Sequence, residues 1–316
     1  MKLITKKTLI IIAVAVILIS LTTGALLAYY PLQMSQEHTT KIANMFLQDM
    51  GFNKQSFYNL YQPIIQESTI KSSKHNHNIP IKYFKNESYI KPTIILVHWH
   101  ETDHTVMLPL AEMFIKQGYN VVLYDQRSHG NNTAKIVTFG YYEQDDLQDV
   151  INFVKSKAKN VPIGVLGQSM GASTLGFYIG TDHAKNSIDF AIIESPFSNM
   201  YQELEYNIHF KLGFKLPVSL ALNVGSMFNK IINGFTFKEV SITKHIKNTS
   251  IPTLIMHSKD DTVCPYSMGK EVYEAMSFNN NEMVTFNNTK HVTAFFTNRG
   301  LYEKKVINFI NKYIKK

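Results

Sequence analysis

The chain has 316 residues, of which 45% are hydrophobic and 18% charged, enough for one large folded domain with a real core and too apolar for a disordered chain. Its net charge of +8 comes from 32 basic against 24 acidic residues, scattered and nearly all Lys, with no basic stripe interleaved with aromatics; nucleic-acid binding is excluded on that ground. The single cysteine, Cys264, excludes an internal disulfide and is silent on compartment.

The N-terminus says more. Lys2, Lys6 and Lys7 precede a run from Leu9 to Tyr30 without a charge. About 20 apolar residues in a helix match the hydrocarbon core of a bilayer, so residues 9–28 are expected to be a transmembrane anchor within an N-terminal segment, 1–34. The lysines hold the N-terminus in the cytoplasm and place the rest of the chain outside. A cleaved signal peptide, giving a secreted protein, is the alternative; it would need a small residue where Leu26 stands.

Residues 39–61 then read as a partly amphipathic helix, and a regular alternation begins. Strand-like runs at 79–84, 93–97, 120–124, 163–166, 190–193, 253–256 and 283–286 are separated mostly by helical stretches, among them 107–117, 143–157 and 170–179. Short apolar strands alternating with helices predict an α/β fold over 35–316, a mostly parallel sheet covered by helices on both faces. One connection is too long for a loop. Residues 198–248, rich in Phe, Leu and Tyr, are expected to form a helical cap inserted in that domain.

Gly167-Gln168-Ser169-Met170-Gly171 follows one of these strands and opens a helix. This is the G-x-S-x-G turn, in which a serine stands on a backbone turn so tight that a Cβ two residues to either side would clash. Ser169 is the expected nucleophile. It needs a base, and the base needs an orienting acid. His291, in the loop after the last strand-like run, is the candidate base. The candidate acids are Asp261 and its neighbour Asp260, after the run 253–256, with Glu194 at the end of an earlier strand as an outside choice.

On these motifs the chain resembles the α/β-hydrolase superfamily, in particular its capped lipase-, esterase- and peptidase-like members, over residues 65–315. Asp125-Gln126-Arg127-Ser128-His129-Gly130 is similar to the family's D-x-R-x-x-G segment, and Gly140-Tyr141-Tyr142-Glu143 with Asp146-Leu147 to its next turn and helix start. The resemblance implies the chain order Ser, acid, His, and an acid four residues before a proline; counting back from Pro265 gives Asp261. It also implies an oxyanion hole from the backbone N–H of Met170 and, in the turn after 93–97, that of His100. There the family's His-Gly-x reads His98-Trp99-His100, so an altered backbone is expected. Asp125 and Arg127 are expected to pin their loop.

The activity implied is that of a serine hydrolase (carboxylesterase- or lipase-like) acting on a small-molecule acyl substrate through an acyl-enzyme, with amide or peptide hydrolysis on the same triad as the alternative. No cofactor and no metal are called for. Two other classes compete: a metal-dependent hydrolase using His98, His100, Asp103 and His104, whose spacing departs by one residue from a zinc-binding H-x-H-x-D-H, and a non-catalytic binding module on the same fold.

Overall fold

The computed structural model describes residues 6–29, 32–86, 92–157, 161–213, 218–277 and 279–314, without the side chains of Leu9, Ile10, Ile12, Ala13, Leu27 and Ala28. It divides into two compact units. The smaller holds the N-terminus through Gln33 together with Asn199–Val240; the larger holds Met34–Ser198 and Ser241–Lys316.

The smaller unit is helical. It contains α1 (Lys6–Tyr29) and two further helices of the long connection, α8 (Met200–Leu212) and α9 (Ser219–Asn233). Asn199 caps α8 by accepting from the N–H groups of Tyr201 and Gln202. The transmembrane span expected over residues 9–28 is not supported. A helix does form there, but six of the side chains that would make it apolar lie outside the described residues. Among the described residues no helix is long and apolar enough to cross a membrane.

The larger unit opens with α2 (Gln36–Asp49) and α3 (Lys54–Tyr61), where one helix was expected over 39–61. Gly51, at φ +68°, takes the left-handed turn between them, and Asn53 caps α3. Ala43, Leu47 and Phe57 are their buried faces. The strands and helices that follow are β1 (Ile65–Lys71), β2 (Asn78–Phe84), β3 (Thr93–Val97), α4 (Leu108–Lys116), β4 (Asn120–Tyr124), α5 (Glu143–Lys157), β5 (Ile163–Gln168), α6 (Met170–Tyr178), the short α7 (Asp182–Lys185) and β6 (Phe190–Glu194). After the other unit come α10 (Ile242–His245), β7 (Thr253–Ser258), α11 (Tyr266–Ala275), β8 (Glu282–Phe286), α12 (Ala294–Thr297) and α13 (Arg299–Tyr313).

The eight strands form one sheet in the order β1-β2-β4-β3-β5-β6-β7-β8. β2 pairs antiparallel with β1 and with β4; all other pairs are parallel. The central strands are buried at every position, as expected of strands covered on both faces. β1 escaped the sequence reading for the opposite reason. It is a half-exposed antiparallel edge strand, and Ile65-Gln66-Glu67-Ser68-Thr69-Ile70-Lys71 carries no clean apolar alternation.

The topology fixes where a site can form. The chain leaves β3 for β4 on one side, then returns to β5 on the other. Loops departing in opposite directions are where open α/β sheets place their binding sites, here the C-terminal ends of β3 and β5.

Candidate active site

Ser169 follows β5 directly and precedes the first residue of α6. Its backbone sits at φ +53°, ψ −116°, a conformation that costs a non-glycine residue on the order of 1–3 kcal/mol and persists only where its surroundings enforce it. The enforcement is visible. A Cβ on Gly167 would lie 2.2 Å from the carbonyl oxygen of Gly171, and one on Gly171 would lie 2.2 Å from that of Val97. The backbones of β3, β5 and α6 therefore touch, and only glycine fits at either point. The Ser169 N–H donates to the Glu194 carbonyl at 2.9 Å, tying the turn to the end of β6. At the start of α6, the Met170 N–H belongs to the first turn, whose donors have no partner within the helix.

Left-handed φ values in non-glycine residues recur at the neighbouring strand ends: Glu101 (+64°) after β3, Ser195 (+50°) after β6 and Val292 (+50°), beside His291, after β8. A β-branched residue such as Val292 is rarely found there. Such clustering marks a site where geometry outranks stability.

His291 and Asp261 are brought together from the loops after β8 and β7. Nδ1 of His291 lies 2.7 Å from Oδ2 of Asp261. Oδ1 of Asp261 accepts the backbone N–H groups of Val263 and Cys264, both at 2.9 Å. Burial opposes ionisation of this carboxyl, but hydrogen bonds from His257 and His291 outweigh it and hold Asp261 well below the usual carboxylate range. A carboxylate accepting from Nδ1–H fixes the tautomer whose Nε2 keeps its lone pair.

The other candidate acids face elsewhere. Asp260 Oδ2 accepts the Asn288 N–H at 2.6 Å and so joins the two loops. Glu194 is buried, with Oε2 accepting from Gln168 Nε2 and from the Tyr302 hydroxyl, each at 2.7 Å. Burial raises its pKa against the lowering effect of those two donors.

The turn after β3 departs from the family pattern and is rebuilt by histidines. His98 is buried, accepts the Gln126 N–H on Nε2 at 2.9 Å and donates from Nδ1 to the Trp99 carbonyl at 2.8 Å. It is therefore neutral, in agreement with a pKa lowered first by burial. His129 accepts the Glu101 N–H on Nε2 at 3.1 Å and donates from Nδ1 to the Arg127 carbonyl at 2.7 Å; burial likewise drives its pKa well down. The Gln126 side chain donates to the His98 carbonyl and accepts from Thr174 of α6. Trp99 packs edge-on against Phe46 of α2 at 4.8 Å, and His100 lies against Phe139 and His129. The turn carrying His100 is thus braced on both sides.

This placement gives the candidate ligands of the metal alternative other partners. His98 binds backbone, Asp103 accepts from Thr40 and from the N–H of Thr105, and His104 donates from Nδ1 to Asp125 at 2.7 Å. Among the described residues no group of three or more His, Cys, Asp or Glu could hold a metal ion. Asp125 also accepts the N–H groups of His104 and Asn131, pinning its loop, and Arg127 reaches buried Asp146 at 3.4 Å.

A family model described as serine aminopeptidase, S33, matches residues 89–232. The uncharacterised protein YqkD of Bacillus subtilis is 32% identical over 220 residues, covering 69% of this chain and 71% of that one. The esterase Pf2001 of Pyrococcus furiosus superposes with a TM-score of 0.64 at 18% identity, over 85% of this chain and 94% of that one. The chain belongs to the α/β-hydrolase superfamily. Among other relatives of this α/β hydrolase, the lysophosphatidylserine lipase ABHD12 of Danio rerio is 24% identical over 202 residues, covering 61% of this chain. The chain spans about half the length of the ABHD12 relatives, 49% for the Danio rerio protein.

The sequence reading of this hydrolase missed His257. It ends the apolar run of β7 fully buried, with Nε2 2.8 Å from the Cys264 carbonyl and 3.5 Å from Asp261 Oδ2. A histidine in a fully buried strand, four residues before the candidate acid Asp261, was the available signal.

Proposed function

We propose that the chain is a serine hydrolase that cleaves carboxylic esters through an acyl-enzyme, with Ser169, His291 and Asp261 as its triad. The observation that carries this reading is the strained elbow at Ser169, held by contacts that only Gly167 and Gly171 permit, within the same sheet end as the His291–Asp261 pair. In the proposed reaction the Ser169 hydroxyl attacks the ester carbonyl carbon while its proton passes to His291 Nε2. The oxyanion is stabilised by the N–H of Met170 and that of His100. Collapse breaks the C–O bond, and the leaving alcohol takes the proton from His291. Water, deprotonated by His291, then attacks the acyl carbon and releases the acid and Ser169.

Esters are favoured over amides because the similar proteins include an esterase and lysophosphatidylserine lipases. Amide or peptide hydrolysis is the second reading, favoured by the match to a serine aminopeptidase model. Turnover of p-nitrophenyl esters of increasing acyl length, set against aminoacyl p-nitroanilides, separates them. Ester turnover with a chain-length optimum supports the proposal; turnover of anilides alone overturns the ester assignment. The proposed substrate-choosing element is the inserted connection, whose substitution should alter the order of acyl preference. The proposed location is the cell membrane with the hydrolase domain outside the cytoplasm, on the strength of the lysines that precede the uncharged N-terminal run. Protease treatment of intact cells tests it: a protected domain contradicts it.

A further inference from the structure

Exposed large apolar side chains are concentrated in the smaller unit. Among the described residues nine lie on α1, six lie on α8 and α9, and four lie in the whole larger unit. Val16, Ile17, Leu18 and Ile19 are consecutive on α1 and each between 47% and 65% exposed. Four consecutive helical residues, 100° apart, point in every direction around the axis. A protein partner covers one stripe of a helix. An apolar surface running around the whole circumference matches a solvent of hydrocarbon.

α9 carries a matching surface. Leu222, Gly225, Ser226 and Asn229 form its buried side. Leu220, Met227 and Ile231, at positions i, i+7 and i+11, line the opposite side, and Ile231 is 72% exposed. The two helices meet backbone to backbone. A Cβ on Gly24 would lie 2.8 Å from the Gly225 nitrogen, and one on Gly225 would lie 2.8 Å from the Gly24 oxygen. Close crossing through small residues is the packing that helices use where apolar side chains gain nothing by leaving their surroundings. No charge occurs from Thr8 to Tyr29, while exposed Lys6 and Lys7 stand at the start of α1, placed for the phosphates of an anionic headgroup layer.

We infer that α1 and α9, far apart in sequence, form one lipid-contacting element, and that the outer stripe of α9 lies against the acyl chains of a membrane. The inserted connection is then a membrane-docked segment. This claim requires no helix to cross the bilayer and is independent of the chemistry at Ser169.

The test places an environment-sensitive fluorophore (NBD) on the full-length protein at Met227→Cys, Ile231→Cys and, as a control in the larger unit, Leu301→Cys; the native Cys264 is buried. Each variant is mixed with vesicles of phosphatidylcholine and phosphatidylglycerol. Probes at 227 and 231 should shift to shorter wavelength and lose emission when nitroxide is carried on the lipid acyl chains, while the probe at 301 stays quenchable by aqueous iodide. The inference is overturned if the protein does not float with vesicles. It is equally overturned if it floats while the probes at 227 and 231 remain accessible to iodide, or if their shift follows protein concentration in the absence of lipid, which would assign the face to a second copy of the chain.

Discussion

Asp261 holds His291 by one carboxylate oxygen, 2.7 Å from Nδ1, while its other oxygen is held by the N–H groups of Val263 and Cys264. In the proposed triad the acid would thus be fixed in place before it orients the base. Asp261→Asn keeps the shape but can offer Nδ1 an amide donor, which favours the wrong tautomer. Ester turnover should fall on the order of 10⁴-fold. Asp260→Asn, whose side chain serves the Asn288 N–H, should stay within about tenfold. Steady-state kinetics of the two folded variants check this, and the reverse ranking would contradict the assignment.

The same carboxyl sets an acid limit on stability. Its pKa is lower folded than unfolded, so the folded state binds fewer protons. Its stabilising contribution is complete above the ordinary carboxylate range, near pH 4, and is lost as pH falls through that range toward the folded value. Melting temperatures of Asp261→Asn should therefore decline less steeply between about pH 5 and pH 3 than those of the parent. Parallel curves would count against a depressed carboxyl.

Glu194 has the opposite sign. Burial raises its folded pKa, so the neutral form is favoured in the native state and stability falls as pH rises through that pKa. Glu194→Gln cannot ionise. Its melting temperature relative to the parent should improve from pH 5 to pH 9, with ester turnover within about tenfold because Glu194 faces Gln168 and Tyr302. A crippled Glu194→Gln with normal stability would reassign the acid.

Gly171→Ala should be destabilising and inactivating together. The added Cβ meets backbone, the Val97 carbonyl, which cannot rotate away. A loss of about 1–3 kcal/mol or more is expected in denaturant unfolding, with loss of reaction at Ser169. Gly300→Ala, where a Cβ meets nothing within 4 Å, is the control and should be neutral.

How legible the fold was depended on burial. β3 and β4 keep their predicted limits and α5 matches residue for residue, because buried strands and amphipathic helices write their period into the sequence. β1 did not, since a half-exposed edge strand owes its structure to backbone pairing with β2. Within the site, G-x-S-x-G was readable because a backbone clash dictates its glycines. Asp260 and Asp261 could be ranked only by analogy through Pro265; their separate partners, Asn288 and His291, are 28 and 30 residues away in sequence and adjacent only in the fold. The bracing of His98 and His129 was invisible for the same reason. Each is fixed by backbone groups that carry no residue identity.

The assignment of Ser169 as nucleophile is tested by reaction with a fluorophosphonate probe, followed by peptide mapping by mass spectrometry. One adduct is expected, on Ser169, with labelling abolished in Ser169→Ala and ester turnover there reduced at least about a thousandfold. Equal labelling of Ser169→Ala, or an adduct mapped to another residue, would contradict it.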